Sequence, residues 1–297
     1  LGTYGTTRSN GGTFSEATSW SLDTWGQYLV GCSTADGVLV EWQLGTGTPA
    51  APITNAPTDN LGLVVTEERF LFALGAGGDP RLVRWCDREA NTVWTPSSTN
   101  EAGDISLQTG GQIMAGIRTR GQTLILTDHD AHTATYVGPP FVYGFERVGT
   151  SCGLIARKAV ATTDNGVFWM GQRSFFMFNG TSVDEVKCDV LDHVFEDINT
   201  SQISKVHAVV NGQFSEVWWF YPSSGATECD SYVAFNYAEG WWHYGTMARS
   251  TGVDRAVFKY PLWVSTDGDV VEHEVGLAHD GGTPYAETGP FALGVGD

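Results

Sequence analysis

Short apolar runs recur along the chain, each bounded by Gly, Pro, Asn, Asp or Ser. QYLVGCS, GVLVEWQL, RFLFALG, PRLVRWC, QTLILTD, GVFWMG, SFFMFNG, EVWWFYP, SYVAFNY, GWWHYG and PLWVST are rich in Val, Ile, Leu, Phe, Tyr and Trp. That composition and length read as β-strands. Asp36-Gly37, Asn165-Gly166, Asn179-Gly180, Asn211-Gly212 and Asp267-Gly268 punctuate them. Such pairs suit two-residue hairpins, because both central residues tolerate positive φ, so neighbouring strands are expected to run antiparallel.

The runs group with a loose period of about 40 residues, the scale of a propeller blade. The divisions fall at Trp20–Pro57, Leu61–Leu107, Gln112–Gly149, Leu154–Val186, His207–Gly245 and Thr251–Gly276. The predicted fold class is all-β: a β-propeller of about six blades with one or two short inserted helices. A pair of β-sandwiches is the structural alternative. Residues 1–19, rich in Gly, Ser and Thr, read as an irregular N-terminal arm, 20–276 as the propeller, and 277–297 as a closing strand or the start of a further β domain. The missing initiator Met and the FALGV run near the end read as a processed or partial chain.

One stretch leaves the β pattern. Val186, Val190, Leu191, Val194, Phe195 and Ile198 follow helical spacing, with Asp184 placed to cap the start and Asp189, Asp192, Glu196 and Asp197 on the other face. A second short helix is expected from Ser201 to Val206.

The aromatic-rich segment Ser215–Gly245 poses a choice between ligand platform and core. Val217, Trp219 and Tyr221 alternate with Trp218 and Phe220, so both faces of the strand are apolar. A strand buried on both sides is what a middle blade strand requires. Trp218, Trp219, Tyr221, Phe235 and Trp169 are therefore the core-packing candidates. Trp241, Trp242 and Tyr244, after a glycine, form the alternative glycan platform.

Charge narrows the function. The chain carries 34 acidic and 16 basic residues, a formal net charge of −18, and no basic run. Such a surface repels phosphate backbones and opposes tight nucleic-acid binding. The five cysteines are scattered, odd in number and without a CxxC pair, so buried free thiols are expected rather than a disulfide framework or a zinc site. No apolar run is long enough to span a bilayer, and no stretch reads as a signal peptide.

Candidate chemistry is sparse. Thr127-Asp128-His129-Asp130-Ala131-His132 places two carboxylates and two imidazoles close together, but between two β runs it reads as a polar turn in which Asp caps its own backbone. Glu272, His273 and Glu274 alternate along one strand and cannot converge on one ion, which leaves a solvated edge; His279 and Asp280 follow. TDNGVFW faintly resembles the Asp-box turn of sialidase propellers, in one copy and without clustered arginines. Paired acids for glycoside hydrolysis cannot be located from sequence alone. GxSxG, HExxH, P-loop and dinucleotide fingerprints are absent. No catalytic residue, cofactor or metal is assigned.

The order of motifs along the chain resembles that of a known family. PRLVRWCDREANTVWTPSSTNEAGD, then GQIMAGIRTRGQTLILTDHDAHTATYVGPPFVYGFERVGTSCGLIA, NGVFWMGQRSFFMFNG, EVWWFYPSS and NYAEGWWHYG resemble tail nozzle proteins of short-tailed bacteriophages, also called tail tubular or packaged-DNA-stabilisation (tail hub) proteins. Within that pattern YVGPPF is taken as a strand. The resemblance implies a propeller protomer in a homohexameric ring of the virion tail, assembled in the host cytoplasm. It would sit between a portal-proximal adaptor and the distal tip or fibre proteins, and double-stranded genomic DNA would pass through without tight binding. It implies no catalysis and no membrane insertion. A receptor- or glycan-binding propeller and a tail-borne glycosidase are the rivals.

Overall fold

A computed structural model describes residues 19–276. The expected C-terminal segment, and all of the expected N-terminal arm except Ser19, lie outside the described residues.

Six antiparallel sheets follow one another along the chain. The first holds β1 (Trp20–Trp25), β2 (Tyr28–Ser33), β3 (Leu39–Gln43) and β4 (Ala51–Pro52). The second holds β5 (Gly62–Val65), β6 (Leu71–Leu74), β7 (Leu82–Trp85) and β8 (Gly103–Ser106). The third is built from β9 (Ile113–Thr119), β10 (Gln122–Thr127), β11 (Asp130–Gly138) and β12 (Val142–Thr150), and the fourth from β13 (Val160–Thr163), β14 (Gly166–Met170), β15 (Phe175–Phe178) and β16 (Val183–Val186). The fifth comprises β17 (His207–Asn211), β18 (Glu216–Tyr221), β19 (Ser231–Asn236) and β20 (Trp241–Thr246). The sixth has β21 (Thr251–Val253), β22 (Leu262–Val264) and β23 (Val270–Glu272), three strands among the described residues. The molecule is a six-bladed β-propeller, and every run singled out by its hydrophobicity is a strand.

The first strand of each blade faces the axis. β1 meets β5, β5 meets β9, β13 meets β17 and β17 meets β21. Polar side chains fasten the inner strands: Ser21 Oγ accepts the Leu63 N–H at 3.1 Å and Asp23 Oδ2 accepts the Val65 N–H at 2.9 Å. The Lys158 carbonyl likewise accepts the Ala208 N–H at 2.8 Å, joining the fourth blade to the fifth.

Apolar surface fills the spaces between blades. On β18, Val217, Trp219 and Tyr221 pack with Trp169 and Phe175 of the fourth blade, while Trp218 and Phe220 pack with Trp263 of the sixth. This two-sided burial is the reason β18 carries aromatics on both faces. Burial of large aromatic side chains is a leading source of stability in such a fold.

Three local expectations are corrected. The helix does not begin at Asp184. Val183–Val186 pairs with Phe175–Phe178 as β16, and Asp184 Oδ2 instead accepts from Asn179 Nδ2 at 3.1 Å within that hairpin. The helix α1 is Leu191–Asp197, with Val190 at its start and no side-chain cap; a 3-10 segment, Thr200–Lys205, follows with Asn199 as its cap. The dipeptide turns do join neighbouring antiparallel strands, but none supplies both residues of a two-residue loop: β13 and β14 are joined by Asp164-Asn165, with Gly166 already paired to Thr163, and the other connections are longer. Positive φ falls only on Gly37, Gly166, Gly180 and Gly268 among those pairs, never on the preceding Asn or Asp. YVGPPF is not one strand: β11 ends at Gly138, and Pro139, Pro140 and Phe141 form the tip of the β11–β12 hairpin.

Candidate functional site: an axial cavity and an aromatic rim

The inner strands enclose a cavity of about 450 Å³. β1, β5, β9 and β13 line it, together with the Arg157-Lys158 dipeptide that leads into β13. The inner strands carry small and polar residues here, such as Ser21, Asp23, Gly62, Gly116 and Thr162, which keeps the axis open. Gly116 stands where an added Cβ would meet Val64 Cγ1 at 2.7 Å and Leu74 Cδ1 at 2.8 Å, so the close approach of β9 to β5 requires glycine.

Charge in the cavity differs from that of the chain. Its charged lining residues are Arg118, Arg157, Lys158 and Asp23, three cations to one acid. Asp23 is engaged: besides the Val65 N–H it accepts the Thr24 N–H at 2.7 Å, and Arg118 Nη2 lies 3.7 Å away. Arg157 is held by its Nη1, which donates to the carbonyls of Ile113 at 3.1 Å and Met114 at 2.9 Å. Burial lowers the pKa of Arg157 from the ordinary arginine value, while Cys32 and Asp128 act in the opposite sense. Lys158 is exposed, and partial desolvation by the neighbouring protein lowers its pKa from the ordinary lysine value. Among the described residues its ammonium has no hydrogen-bond or ion-pair partner.

The aromatic residues fall into two groups. Trp169 and Trp219 are fully buried, Tyr221 is 1% exposed, Trp218 8% and Phe235 9%. The rim aromatics do not share a face. Trp241 is exposed on the same side of β20 as His243, with ring centroids 5.3 Å apart. Trp242 points the other way, wedged against Phe235 at 4.6 Å and Phe175 at 4.7 Å, with its indole N–H on the Lys187 carbonyl. Tyr244 lies over His193 at 4.1 Å, on the helix α1. A flat three-ring platform is not formed.

The Asp/His turn separates into two networks. Asp128 and His129 form the exposed tip, 2.9 Å apart, and Asp128 Oδ1 accepts the Gln112 N–H from β9's approach rather than capping its own backbone. Asp130 and His132 are buried behind it, with Asp130 accepting from Thr109 and Thr127. Thr127 Oγ1 accepts the His129 and Asp130 N–H groups, so threonine is the capping residue. Among the described residues no group of three His, Cys, Asp or Glu side chains is placed to hold a metal ion. At the sixth blade, Glu272 and Glu274 are exposed at the outer edge, as a solvated edge requires, while His273 packs on Trp263 at 3.8 Å and Glu274 also accepts from Asn211 Nδ2 at 3.0 Å, tying the fifth blade to the sixth. TDNGVFW forms the β13–β14 hairpin. The five cysteines are free.

The fold defines a six-bladed β-propeller with a cavity among its inner strands. No family model matches the chain, and no curated protein matches it. Solved structures do. A catalytically inactive virginiamycin B lyase from Staphylococcus aureus, with quinupristin, is 6% identical at a TM-score of 0.50, covering 86% of this chain and 88% of that one. Dihydro-heme d1 dehydrogenase NirN is 9% identical at 0.50, with 84% of this chain spanning about half, 52%, of the dehydrogenase. PorZ, a surface component of the type-IX secretion system of Porphyromonas gingivalis, is 7% identical at 0.51 over 86% of this chain and 34% of its own. At such identities the likeness is one of fold alone, a fold that carries unrelated functions.

Proposed function

We propose that the chain is a structural protein of a bacteriophage tail, a protomer of a nozzle or hub ring through which DNA leaves the virion. The observation that carries this reading is a pair of exposed apolar loops on opposite blades. At the tip of the β11–β12 hairpin, in the third blade, Phe141 is 78% exposed. In the β21–β22 loop of the sixth blade, Val257 is 92% and Phe258 51% exposed. Blades three and six of a six-bladed propeller face opposite directions. Two different apolar patches on opposite sides of one protomer suit a head-to-tail interface, which makes a ring where the rotation between successive copies closes.

The cavity bears on the same reading. At about 450 Å³ it has the size of a small-molecule pocket, far too small for a duplex. A DNA conduit must then lie between protomers, as a ring provides. The net charge of −18 suits a wall that DNA slides past. The order of motifs, which resembles that of tail nozzle proteins, is in keeping with this reading. The rim aromatics, divided between two faces of β20, give the glycan-binding alternative no comparable support.

Light scattering coupled to size-exclusion chromatography, followed by electron microscopy of the assembled species, tests the proposal. The expected particle is a closed ring of six copies. Phe141→Asp and Phe258→Asp should each yield monomers. A mixture of the two variants should yield dimers, because one intact contact remains between unlike variants. A wild-type chain that stays monomeric at all concentrations would overturn the reading.

A further inference from the structure

We propose that the axial cavity is a binding site for a small organic oxyanion, a carboxylate or phosphate monoester on an apolar body, with Lys158 as its charge anchor. The inference is independent of the ring.

Local charge is the first ground. A chain with 34 acidic residues against 16 basic ones gathers three cations and one acid around its central cavity. The acid, Asp23, already serves two backbone N–H groups and Arg118. Arg157 is held in place by two carbonyls. Lys158 is left as the exposed cation of the lining, without a partner among the described residues. An unpaired ammonium at the mouth of a concave, partly apolar site can give an incoming anion a charge-assisted hydrogen bond.

Shape and polarity supply the rest. The cavity is of ligand size and lies among the inner strands of blades one to four. The same wall carries Trp20, Leu22, Met114 and Ile117. Leu22 is 58% exposed, a large apolar side chain facing open space on an inner strand. The two charged regions stand at opposite ends of β9, from Met114 near Arg157 to Arg118 near Asp23, roughly 13 Å apart at ordinary strand rise. An anion at Lys158 would therefore lay its apolar body along Leu22 and Ile117. A bare inorganic ion would leave that wall unused, and a neutral ligand would leave Lys158 uncompensated.

Calorimetric titration of the whole chain with phenyl phosphate, benzoate, inorganic phosphate and phenol tests this. One-to-one binding of phenyl phosphate or benzoate is expected, tighter than inorganic phosphate and tighter than phenol; which of the two binds better identifies the oxyanion. Lys158→Gln should weaken binding by roughly tenfold or more, the loss of a charge-assisted hydrogen bond. Lys158→Arg should retain most of it, and Lys205→Gln, at a lysine paired with Glu228 on the surface, should change nothing. A second readout needs no affinity. Among the four lysines of the chain, Lys158 should be acylated fastest near pH 8, and the bound aryl oxyanion should protect it. The proposal falls if neither aryl oxyanion binds, if phenol binds equally well, or if Lys158→Gln binds as the parent does while melting at the same temperature.

Discussion

Trp219 of β18 donates its indole N–H to the carbonyl of Ala159, 3.1 Å away on the segment that enters the fourth blade. Trp169 of β14 does the same with the carbonyl of Cys152, at 2.7 Å, on the segment that leaves the third. Both tryptophans sit at the fourth position of the second strand of their blades. Each buries its ring between blades and uses its one polar atom to fix a crossing segment. Trp219→Ala should therefore destabilise the fold by about 3–5 kcal/mol, as truncation of a buried aromatic does. Trp219→Phe keeps most of the packing and loses the hydrogen bond, at a cost nearer 1–2 kcal/mol. Urea denaturation of both variants checks the order. Equal losses would mean that the hydrogen bond, rather than the packing, carries the stability.

The crossing between blades three and four imposes a second requirement. Gly153 passes directly beneath the β10–β11 turn, where an added Cβ would overlap the backbone carbonyl of Asp128. The obstruction is backbone on both sides and cannot swing away like a side chain. Gly153→Ala is expected to cost about 3 kcal/mol or more, the range of strain and overpacking in a closed interior. Gly110→Ala, with nothing within 4 Å of the new atom, is the control and should leave the melting temperature nearly unchanged.

His207 makes the fold sensitive to acid. Its imidazole is buried, its Nδ1–H donates to the Lys205 carbonyl at 3.2 Å, and its ring stacks on Phe220. Burial pushes its pKa down from 6.5 to about 4. Above pH 6.5 the group is neutral whether the chain is folded or not, and its contribution does not vary. As pH falls from 6.5 towards 4 the unfolded chain takes up a proton that the folded chain refuses, so stability declines across that window, by about 3 kcal/mol in the limit. Thermal unfolding at pH 7 and pH 5 should show a smaller drop in His207→Phe than in the parent. An identical drop in both would place the acid sensitivity elsewhere.

What the sequence disclosed follows a physical division within each blade. Every run flagged by hydrophobicity is a second, third or fourth strand, and none is a first strand. Strands such as β6, β14 and β18 are buried on both faces and advertise themselves with Phe, Trp and Leu. Inner strands carry Ser21 and Asp23, Gly62, Gly116 or Thr162, because they face an open axis and fasten to one another through polar side chains. For that reason the cavity was invisible in sequence. Lys158 lies in LIARKAV, where nothing but a pair of adjacent cations in an acidic chain marks it. The start of α1 departs from the sequence pattern for the opposite reason. Val186 and Val190 fall at helical spacing, but pairing of Val183–Val186 with β15 claims the first of them for a strand. Long-range pairing overrode a local pattern.

The thiols give a test of the same packing. Burial pushes Cys32, Cys86 and Cys229 up to about 12, and Cys152 and Cys188 to about 11. Cys188 alone is only half-buried, in the segment between β16 and α1. Since the thiolate is the reactive form, iodoacetamide at pH 8 should modify the native chain slowly and at Cys188 first. All five should react once the chain is unfolded in urea. Rapid native labelling of Cys86 or Cys229 would contradict the packing of the second or fifth blade.

The ring proposal makes a demand on DNA binding. A conduit must let a polyanion pass, and each phosphate neutralised by a wall cation releases counterions and gives affinity that falls steeply with salt. The chain has an acid excess of 18 charges, and three of its cations are drawn into the axial cavity, where a duplex cannot follow. Fluorescence anisotropy with a labelled duplex should accordingly detect no binding at physiological salt, either for the parent chain or for the monomeric Phe141→Asp variant. The two samples separate two explanations. If the monomer binds and the assembled chain does not, the binding surface is one that the ring hides, and the conduit stands. If the assembled chain binds with submicromolar affinity and a steep salt dependence, its accessible wall carries concentrated positive charge, and a passive channel for DNA is the wrong function for this propeller.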